Sequence, residues 1–270
     1  MKNKTKLMIW VIIAVLAVLV LGLLCYNIFA YETRKVQNPV ATLEVENYGN
    51  IKIELYPEYA PNTVANFINL INKGFYNGKT FYGKDVNAIF ATQNSDGSLA
   101  EPTKSLVDSS VQAGTEQDTK YQINGEFVAN HFNENTLKHE KGVVSMLRQE
   151  YSSFLGLTEQ GYNSASCHFQ IMLDSNRNLN GVYTAFGKVV EGLDVVEKIF
   201  AIEEKPAEVK EGEEAPAQDE TSIKQLATPA VIKNASVETF GTEYPMPEIH
   251  EAFDYNAFLQ NYFTQNASAE

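Results

Sequence analysis

Cys167 and the four histidines are the side chains whose chemistry is considered first, because thiols and imidazoles serve as nucleophiles and as metal ligands. The four histidines show no ligand spacing, and Cys167 has no cysteine partner, so no metal site is predicted. His168 follows Cys167 in a predicted strand, which directs the two side chains to opposite faces and argues against a Cys–His nucleophile.

Length and charge limit the classes of protein to which this sequence can belong. The chain has 270 residues, which is enough for one sizeable domain with additional segments. Its 34 acidic and 21 basic residues give a formal net charge of -13. This charge argues against nucleic acid as a partner, because phosphate binding requires a basic face. With only Cys25 and Cys167 in the chain, a disulfide-stapled secreted scaffold is excluded.

The N-terminus predicts a membrane anchor. Residues 1–6 contain three lysines, and residues 7–31 form a run of 25 positions without a charge. At about 1.5 Å per residue, such a run crosses a hydrocarbon core of roughly 30 Å. It is longer than the apolar part of a cleaved signal peptide and has no obvious cleavage site, so we expect an uncleaved single-pass anchor. The preceding lysines favour a cytoplasmic N-terminus, with the rest of the chain outside the cell membrane.

Apolar spacing after the anchor predicts strands and a helix. Residues 32–40 form a polar connector. Apolar residues then alternate along two short runs around Leu43 and Ile53, with turn-forming residues between the runs, which predicts a β-hairpin. The following run has apolar residues at helical spacing; Pro61 suits its first turn and Gly74 suits its exit. The segment therefore predicts a hairpin followed by a helix.

Several motifs follow one another along the middle of the chain. A-P-x-T-V-x-N-F begins at Ala60, and GFYNGKTF follows from Gly74. These two motifs resemble the cyclophilin-type peptidyl-prolyl cis-trans isomerases, and further segments agree in the family's order: INGEF at 123–127, LKHEKGVVSM at 137–146, NSASCHFQI at 163–171 and LNGVYTAFGKVVEGLDVVEKI at 179–199. Because several motifs agree in order, the chain is identified as a divergent member of this family.

The resemblance implies a mainly β fold, a closed eight-stranded antiparallel barrel capped by two helices. The second helix is expected around residues 193–199. The barrel domain, residues 41–241, is preceded by the single transmembrane helix and followed by a C-terminal tail, residues 242–270. The tail carries several aromatic residues, among them Phe253, Phe258, Tyr262 and Phe263, and the sequence leaves open whether it docks as a short helix.

The resemblance also implies an activity, the rotation of X-Pro bonds, with proline-containing polypeptides as partners. The barrier to this rotation is roughly 18–20 kcal/mol and is sustained by amide resonance. Catalysis needs no nucleophile, metal or cofactor. It needs a dry pocket for the proline ring and a cationic donor aimed at the proline nitrogen, which stabilises the twisted state selectively.

The chain departs from the family where that donor is expected. Phe81 matches the first residue of the family's F-H-R motif, Tyr82 replaces the histidine, and Gly83 falls on the arginine. The next landmark, F-x-x-Q, matches residues 90–93 but arrives about two residues late. The alignment can therefore slip within this loop: a slip of one position places Lys84 where the family has its arginine, and a slip of two places Asp85 there, which has the wrong charge.

Arg148 is the second candidate for the missing cation. The family's S-M-A-N motif aligns Leu147 and Arg148 with the substrate-binding rim, from which an arginine could replace the missing one. For Lys84 and for Arg148, the alternative is an ordinary surface charge without a catalytic role.

The residues expected to contact substrate also differ from the family. Cys167 and His168 occupy the family's S-Q pair, Gln170 replaces a phenylalanine, and Tyr183 replaces a frequent histidine. A more polar pocket is expected to bury the proline ring less well. The substrate-binding residues that the resemblance implies are Phe81, Tyr82, Phe90, Gln93, Leu147, His168, Phe169, Leu179 and Tyr183.

Two functions stay open from the sequence. The first is an isomerase that acts on X-Pro bonds of exported proteins and is weakened by the loss of the family arginine. The second is a non-catalytic proline-peptide-binding or chaperone module on the same fold. A cation in the groove favours the first, and a groove without Lys84 and Arg148 favours the second. A purely structural domain would have its groove blocked by residues 152–162 or by the tail.

Overall fold

The computed structural model describes residues 2–33, 37–206 and 222–267. The chain divides into two compact units, Met1–Gln37 and Asn38–Glu270. Parts of four predicted segments lie outside the described residues: residue 1 of the N-terminus, residues 34–36 of the connector, residues 207–221 of the barrel domain and residues 268–270 of the tail.

The first unit contains one helix, α1 (Lys2–Thr33). The uncharged run predicted from the sequence lies within this helix. Its central part, Met8–Tyr26, is long and apolar enough to cross a membrane, and a signal sequence near an N-terminus has the same properties. Length and composition therefore allow a membrane span at the position where the sequence predicts one.

The second unit is built around a closed barrel of antiparallel strands. Eight strands follow one another around it in the order β1-β2-β8-β6-β7-β4-β3-β9, while β5 and β10 form a separate two-stranded sheet. The strands are β1 (Val40–Val45), β2 (Gly49–Leu55), β3 (Thr80–Lys84), β4 (Ala88–Gln93), β5 (Tyr121–Gln122), β6 (Val143–Met146), β7 (Phe169–Met172), β8 (Ala185–Glu191), β9 (Lys224–Glu238) and β10 (His250–Glu251).

β1 and β2 form the predicted hairpin, in which Val45 pairs with Gly49. The turn between them needs positive φ angles, which Asn47 adopts at 65° and Gly49 at 118°. Every second residue of β1 is buried, because successive side chains of a strand point to opposite faces and one face packs inside the barrel. Apolar residues therefore alternate with polar ones in the sequence of β1 because one face of the strand is buried, as predicted.

Two of the remaining helices close the barrel. The helices described in the second unit are α2 (Pro61–Asn72), α3 (Thr158–Tyr162), α4 (Leu193–Phe200) and α5 (Tyr255–Ala267). Phe67 of α2 and Val196 and Ile199 of α4 are buried in the same apolar cluster as the inner faces of the strands. The predicted barrel with two capping helices is confirmed.

The N-terminus of α2 is capped from a distant part of the chain. Its N-cap residue, Ala60, has no side-chain acceptor. The carboxylate of Glu126 caps the helix instead: its two oxygens accept the backbone N–H groups of Asn62 and Thr63, each at 2.8 Å. Burial raises the pKa of Glu126 above its ordinary value, because desolvation outweighs these hydrogen bonds. This contact fixes the segment after β5 against α2.

The C-terminal tail docks beside the barrel through β10, which pairs with β5. The backbone N–H of Ala252 donates to the carbonyl of Lys120 at 3.1 Å. The N–H of Phe253 donates to Oε1 of Gln122, also at 3.1 Å. The tail then continues into α5. These contacts place the start of the tail next to the segment around β5.

Candidate functional site

A cleft of about 470 Å³, here called the central cleft, opens beside strands β3, β4 and β7. Its floor is a small apolar cluster that is distinct from the barrel core and includes Tyr82, Phe90 and Met172. Leu147, which follows β6, and Leu179, which ends a short 3-10 helix, pack against this cluster and form two walls. The central cleft therefore offers an apolar surface to a small ring.

Strand alternation decides which neighbouring residues reach the central cleft. Phe81 and Phe169 are fully buried in the barrel core, with ring centroids 6.0 Å apart. The residues that follow them, Tyr82 and Gln170, line the cleft. Because successive strand residues point to opposite faces, each of these pairs is divided between core and cleft. Phe81 and Phe169, predicted to bind substrate, therefore lie inside the barrel.

Arg148 lies at the rim of the central cleft in a fixed position. Its Nε donates to the carbonyl of Val182 at 2.9 Å, and its Nη1 donates to the carbonyl of Gln149 at 3.1 Å. The guanidinium carbon lies 4.5 Å from the ring centroid of Tyr183 and 5.1 Å from that of Tyr162. These bonds occupy two of the five N–H groups of the guanidinium, so donors remain for a ligand.

Glu150 offsets part of the charge of Arg148. Its Oε1 accepts the hydroxyl of Tyr183 at 2.9 Å and lies 3.6 Å from Nη2 of Arg148. The side chain of Glu150 is 70% exposed, so solvent weakens its attraction for the arginine. Burial raises the pKa of Tyr183 to about 12, and its hydroxyl is therefore protonated at neutral pH and donates to Glu150.

Gly83, the residue that falls on the family's arginine, has no room for a side chain. A Cβ at this position would lie 2.7 Å from Cγ2 of Ile223 and 3.2 Å from the carbonyl oxygen of Lys224. Gly83 pairs with Gln225 of β9, so the neighbouring strand covers this side. Ile223 itself lines the central cleft. An apolar side chain therefore stands beside the position where the resemblance predicts a cation.

Lys84 lies outside the lining of the central cleft. Its Nζ donates to the carbonyls of Phe200 and Ile202, at the C-terminal end of α4. Lys120 lines the cleft but is paired with the carboxylate of Glu101. Among the described residues, Arg148 is therefore the cation best placed to meet a ligand in this cleft.

His168 lines the central cleft as an uncharged imidazole. Burial lowers its pKa, because desolvation disfavours the charged ring. Its Nδ1 is buried and has no hydrogen-bond partner among the residues that the structure describes. Gln93 lies outside the lining and donates its side-chain amide to the carbonyl of Gly97 at 2.7 Å. His168 therefore contributes an uncharged ring to the lining of the central cleft, and Gln93 contributes nothing to it.

Most of the predicted site residues meet at the central cleft, and these are Tyr82, Phe90, Leu147, Arg148, His168, Leu179 and Tyr183. The predicted residues outside its lining are Phe81, Lys84, Gln93 and Phe169. Met172 was missed, although its spacing of two residues from Gln170 in the same strand could have indicated it. Ala252 was also missed, and nothing in the sequence links the tail to the cleft.

A known protein family matches the segment that forms most of the barrel and most of the central cleft. The family described as cyclophilin type peptidyl-prolyl cis-trans isomerase/CLD matches residues 40–227, more than half of the chain. The chain belongs to this family. Arg148, the arginine at the rim of the central cleft of this cyclophilin, lies inside the matched segment. Ala252 of the tail lies beyond that segment.

Individual relatives of this cyclophilin agree with the family match. The "Probable peptidyl-prolyl cis-trans isomerase" of Brucella suis is 32% identical over 174 residues, which are 64% of this chain and 78% of that protein. The peptidyl-prolyl cis-trans isomerase B of Bacillus subtilis is 32% identical over 150 residues, 56% of this chain and 82% of that protein.

A solved structure has the same fold. It is a Cryptosporidium parvum cyclophilin type peptidyl-prolyl cis-trans isomerase, crystallised in the presence of the dipeptide Ala-Pro. It superposes with a TM-score of 0.51 over 74% of this chain and 98% of that chain, at 18% sequence identity. This likeness supports the barrel fold alone.

Proposed function

We propose that this cyclophilin catalyses the cis-trans isomerisation of X-Pro bonds in polypeptides. The observation that carries the proposal is the central cleft, where an apolar floor adjoins a fixed arginine in a chain of the isomerase family. The relatives from Brucella suis and Bacillus subtilis carry the name of this activity. The solved relative was crystallised with a dipeptide that contains proline.

The apolar floor suits the ring of the proline. Phe90, Met172 and Leu179 form a surface against which the ring loses contact with water. Rotation about the X-Pro bond forms and breaks no covalent bond other than the partial double bond of the amide. The site therefore has to bind the twisted amide more tightly than either planar form, and it needs no nucleophile for this purpose.

Arg148 supplies the cation in this proposal. When the amide twists, its nitrogen loses resonance and gains a lone pair that accepts a hydrogen bond. A guanidinium N–H directed at this lone pair stabilises the twisted state and has little to gain from the planar amide. Because carbonyls and aromatic rings already fix Arg148, the arginine needs little reorganisation during rotation.

We also propose that the barrel domain lies outside the cell membrane and acts on exported polypeptides. Met8–Tyr26 supports this location because it is long and apolar enough for a span, and the lysines before it favour a cytoplasmic N-terminus. The mass of the protein recovered from the membrane fraction distinguishes an uncleaved anchor from a removed signal. Digestion of the barrel domain by protease added to intact spheroplasts tests the orientation.

The isomerase proposal is tested with a protease-free assay on a short X-Pro peptide. The exchange rate between the cis and trans forms is measured by NMR with the full chain in detergent micelles, beside its Arg148→Ala variant. Faster exchange that is lost in the variant supports the proposal. A folded chain that does not accelerate exchange contradicts it for that peptide.

A non-catalytic proline-peptide-binding or chaperone function is the second candidate. The specific observation in its favour is that Ile223 and Lys224 exclude a side chain at Gly83, where the family resemblance predicts the catalytic arginine. Binding of the same peptide to the full chain, without faster exchange, would favour this function. A purely structural role has less support, because the central cleft is open with about 470 Å³ of space.

A further inference from the structure

One glutamine lies in the floor of the central cleft, on strand β7. His168, Gln170 and Met172 line the cleft and alternate with residues of the barrel core. Gln170 pairs with Phe90 of β4 on one side and with Ser145 of β6 on the other. Gln170 is therefore a neighbour of Phe90 and Met172, two of the residues against which the proline ring is proposed to pack.

The side-chain amide of Gln170 is buried and lacks a hydrogen bond. The residue is only 3% exposed. Neither Nε2 nor Oε1 has a hydrogen-bond partner among the residues that the structure describes, and neither belongs to the unpaired side-chain atoms that are closed off from solvent. Because Gln170 lines the central cleft, the solvent contact that its amide keeps is with the open space of that cleft.

The other side-chain amides that line the cleft differ from that of Gln170. Oε1 of Gln122 accepts a backbone N–H at 3.1 Å, and Oδ1 of Asn176 accepts another at 3.1 Å. Gln149 is exposed. Among the described residues that line the cleft, Gln170 is therefore the buried amide whose donors and acceptor are all available to a ligand.

A ligand that covers this floor has to supply a partner for the amide. Solvent can reach the amide of Gln170 while the cleft is open. A ring that packs on Phe90 and Met172 excludes that solvent, and a buried amide that is left without a partner is costly. A ligand that brings a carbonyl oxygen to Nε2 avoids this cost. The floor thus favours a ring with an acceptor beside it.

Two carbonyl groups flank the nitrogen and ring of a bound X-Pro unit, and only one of them suits a donor in the floor. The carbonyl of X belongs to the amide that rotates. Resonance places negative charge on its oxygen in the planar form, so a donor to this oxygen would stabilise the planar amide and slow rotation. The carbonyl of the proline is attached to the ring and lies outside the rotating bond. A donor to it can hold the ring equally in the planar and twisted states.

We propose that Gln170 determines specificity in the central cleft by donating a hydrogen bond from Nε2 to the carbonyl oxygen of the bound proline. The inference rests on the proposed function and adds to it a required acceptor on the C-terminal side of the ring. A phenylalanine, which the family resemblance implies at this position, could pack on the ring but could not donate. Because the bond is the same in the planar and twisted states, its loss is expected to raise KM and to leave kcat unchanged.

The test removes the acceptor from the ligand and the donor from the protein. The ligands are acetyl-Ala-Pro-methylamide, the corresponding methyl ester, whose carbonyl is a weaker acceptor, and acetyl-Ala-pyrrolidide, which has the ring but no proline carbonyl. NMR exchange with the full chain in detergent micelles gives kcat and KM; in the pyrrolidide, rotation exchanges the ring CH2 groups beside the nitrogen. Differences in the intrinsic barrier cancel when each ligand is compared between the parent chain and a variant.

Gln170→Met keeps the length of the side chain and removes the amide. We expect kcat/KM for the methylamide to fall about three- to tenfold, through KM, and kcat/KM for the pyrrolidide not to fall. The ester is expected to lie between them. Gln112→Met is the matched control, because Gln112 is exposed and outside the lining of the cleft, and it is expected to keep the methylamide-to-pyrrolidide ratio. Circular dichroism checks that both variants are folded.

The outcomes distinguish this inference from the proposed function. If the peptides are isomerised and Gln170→Met leaves the methylamide-to-pyrrolidide ratio unchanged, the inference is overturned and the isomerase stands. A fall in kcat at constant KM also overturns it, because the amide would then act on the twisted state. If no ligand is isomerised, Kd values from NMR titrations of the same ligands decide. A preference for the methylamide that Gln170→Met removes supports the inference while the catalytic proposal fails, and equal Kd values overturn both.

Discussion

Nδ1 of His139 lies 3.1 Å from Oδ1 of Asn180, while Nε2 of the same ring lies 3.0 Å from Oγ of Ser145. An amide oxygen only accepts hydrogen bonds, so Nδ1 carries the hydrogen and Nε2 accepts the hydroxyl of Ser145. The same amide oxygen accepts the backbone N–H of His139 at 2.8 Å. Because Asn180 follows Leu179, a neutral and buried histidine holds the loop that forms one wall of the central cleft.

Acid is expected to weaken this arrangement. Burial lowers the pKa of His139 below its ordinary value of 6.5, so the unfolded chain binds the proton first as the pH falls. The stability that the neutral ring contributes is fully present above about pH 6.5 and is lost as the pH falls through the lowered pKa of the folded state. Unfolding free energies from urea titrations between pH 7.5 and 5 are therefore expected to fall more steeply in the parent chain than in His139→Asn.

The size of this pH effect has an upper bound. A single histidine changes the slope by at most about 1.4 kcal/mol per pH unit. His131→Asn is the matched control, because His131 is exposed and has a positive φ of 63° that asparagine tolerates. Equal slopes in the parent chain and in His139→Asn would contradict the assignment of His139 as a neutral, buried group.

Adding a side chain at Gly83 is expected to destabilise the barrel and is not expected to increase isomerase activity. Gly83→Ala places a Cβ 2.7 Å from Ile223, and the resulting overpacking is expected to lower the unfolding free energy by about 1–3 kcal/mol. In an Ile223→Ala background the same change is expected to cost less, because the clashing Cγ2 is gone. Urea titrations of the four chains form a double-mutant cycle. Additive effects would show that Ile223 does not limit this position.

Removing the charge of Lys84 is expected to affect stability and not catalysis. Its Nζ donates to the carbonyls of Phe200 at 2.9 Å and Ile202 at 2.7 Å; the first is among the groups that α4 leaves unpaired at its C-terminal end, and the second lies just beyond the helix. Lys84→Met keeps the aliphatic stem and loses both hydrogen bonds, so we expect a loss of about 1–3 kcal/mol in unfolding free energy. Lys198→Met, on the exposed side of α4, is the control and is expected to change stability by less than about 0.5 kcal/mol.

The kinetic part of this prediction separates Lys84 from the cleft. Isomerisation by folded Lys84→Met is expected to have the kcat/KM of the parent chain, because Lys84 does not line the central cleft. A fall in kcat/KM without a fall in stability would instead return Lys84 to the catalytic role considered from the sequence.

The fold was predictable because local patterns and global architecture agree. Alternating apolar residues of β1 and β2 face the barrel interior, and helical spacing from Pro61 gives the buried face of α2. The same alternation could have separated core from cleft in the motifs. Tyr82 and Gln170 follow Phe81 and Phe169, and a strand must send such neighbours to opposite faces.

The unpredicted part of the site depends on contacts between residues that are far apart in sequence. Lys84 reaches carbonyls that lie 116 and 118 positions later, and no local pattern around Lys84 indicates that the end of α4 lies beside it. Ile223 covers Gly83 only because β9 returns beside β3. The sequence does not decide whether the tail docks, because its aromatic residues could pack in several ways and the partner of Tyr255, Tyr151, is distant in the sequence.

Arg148 is expected to be the residue on which acceleration depends. Arg148→Ala removes the cation at the rim of the central cleft, and losing one such donor to a transition state typically lowers the rate about 10²-fold or more. Arg148→Lys keeps the charge but loses the planar fork that binds Val182 and Gln149 and stacks on Tyr183, so we expect only partial recovery. Arg177 is exposed, so Arg177→Ala is the control and is expected to leave kcat/KM unchanged. Because the arginine acts on the twisted amide, kcat and kcat/KM are expected to fall together, while a loss confined to KM would mean that Arg148 only binds the peptide.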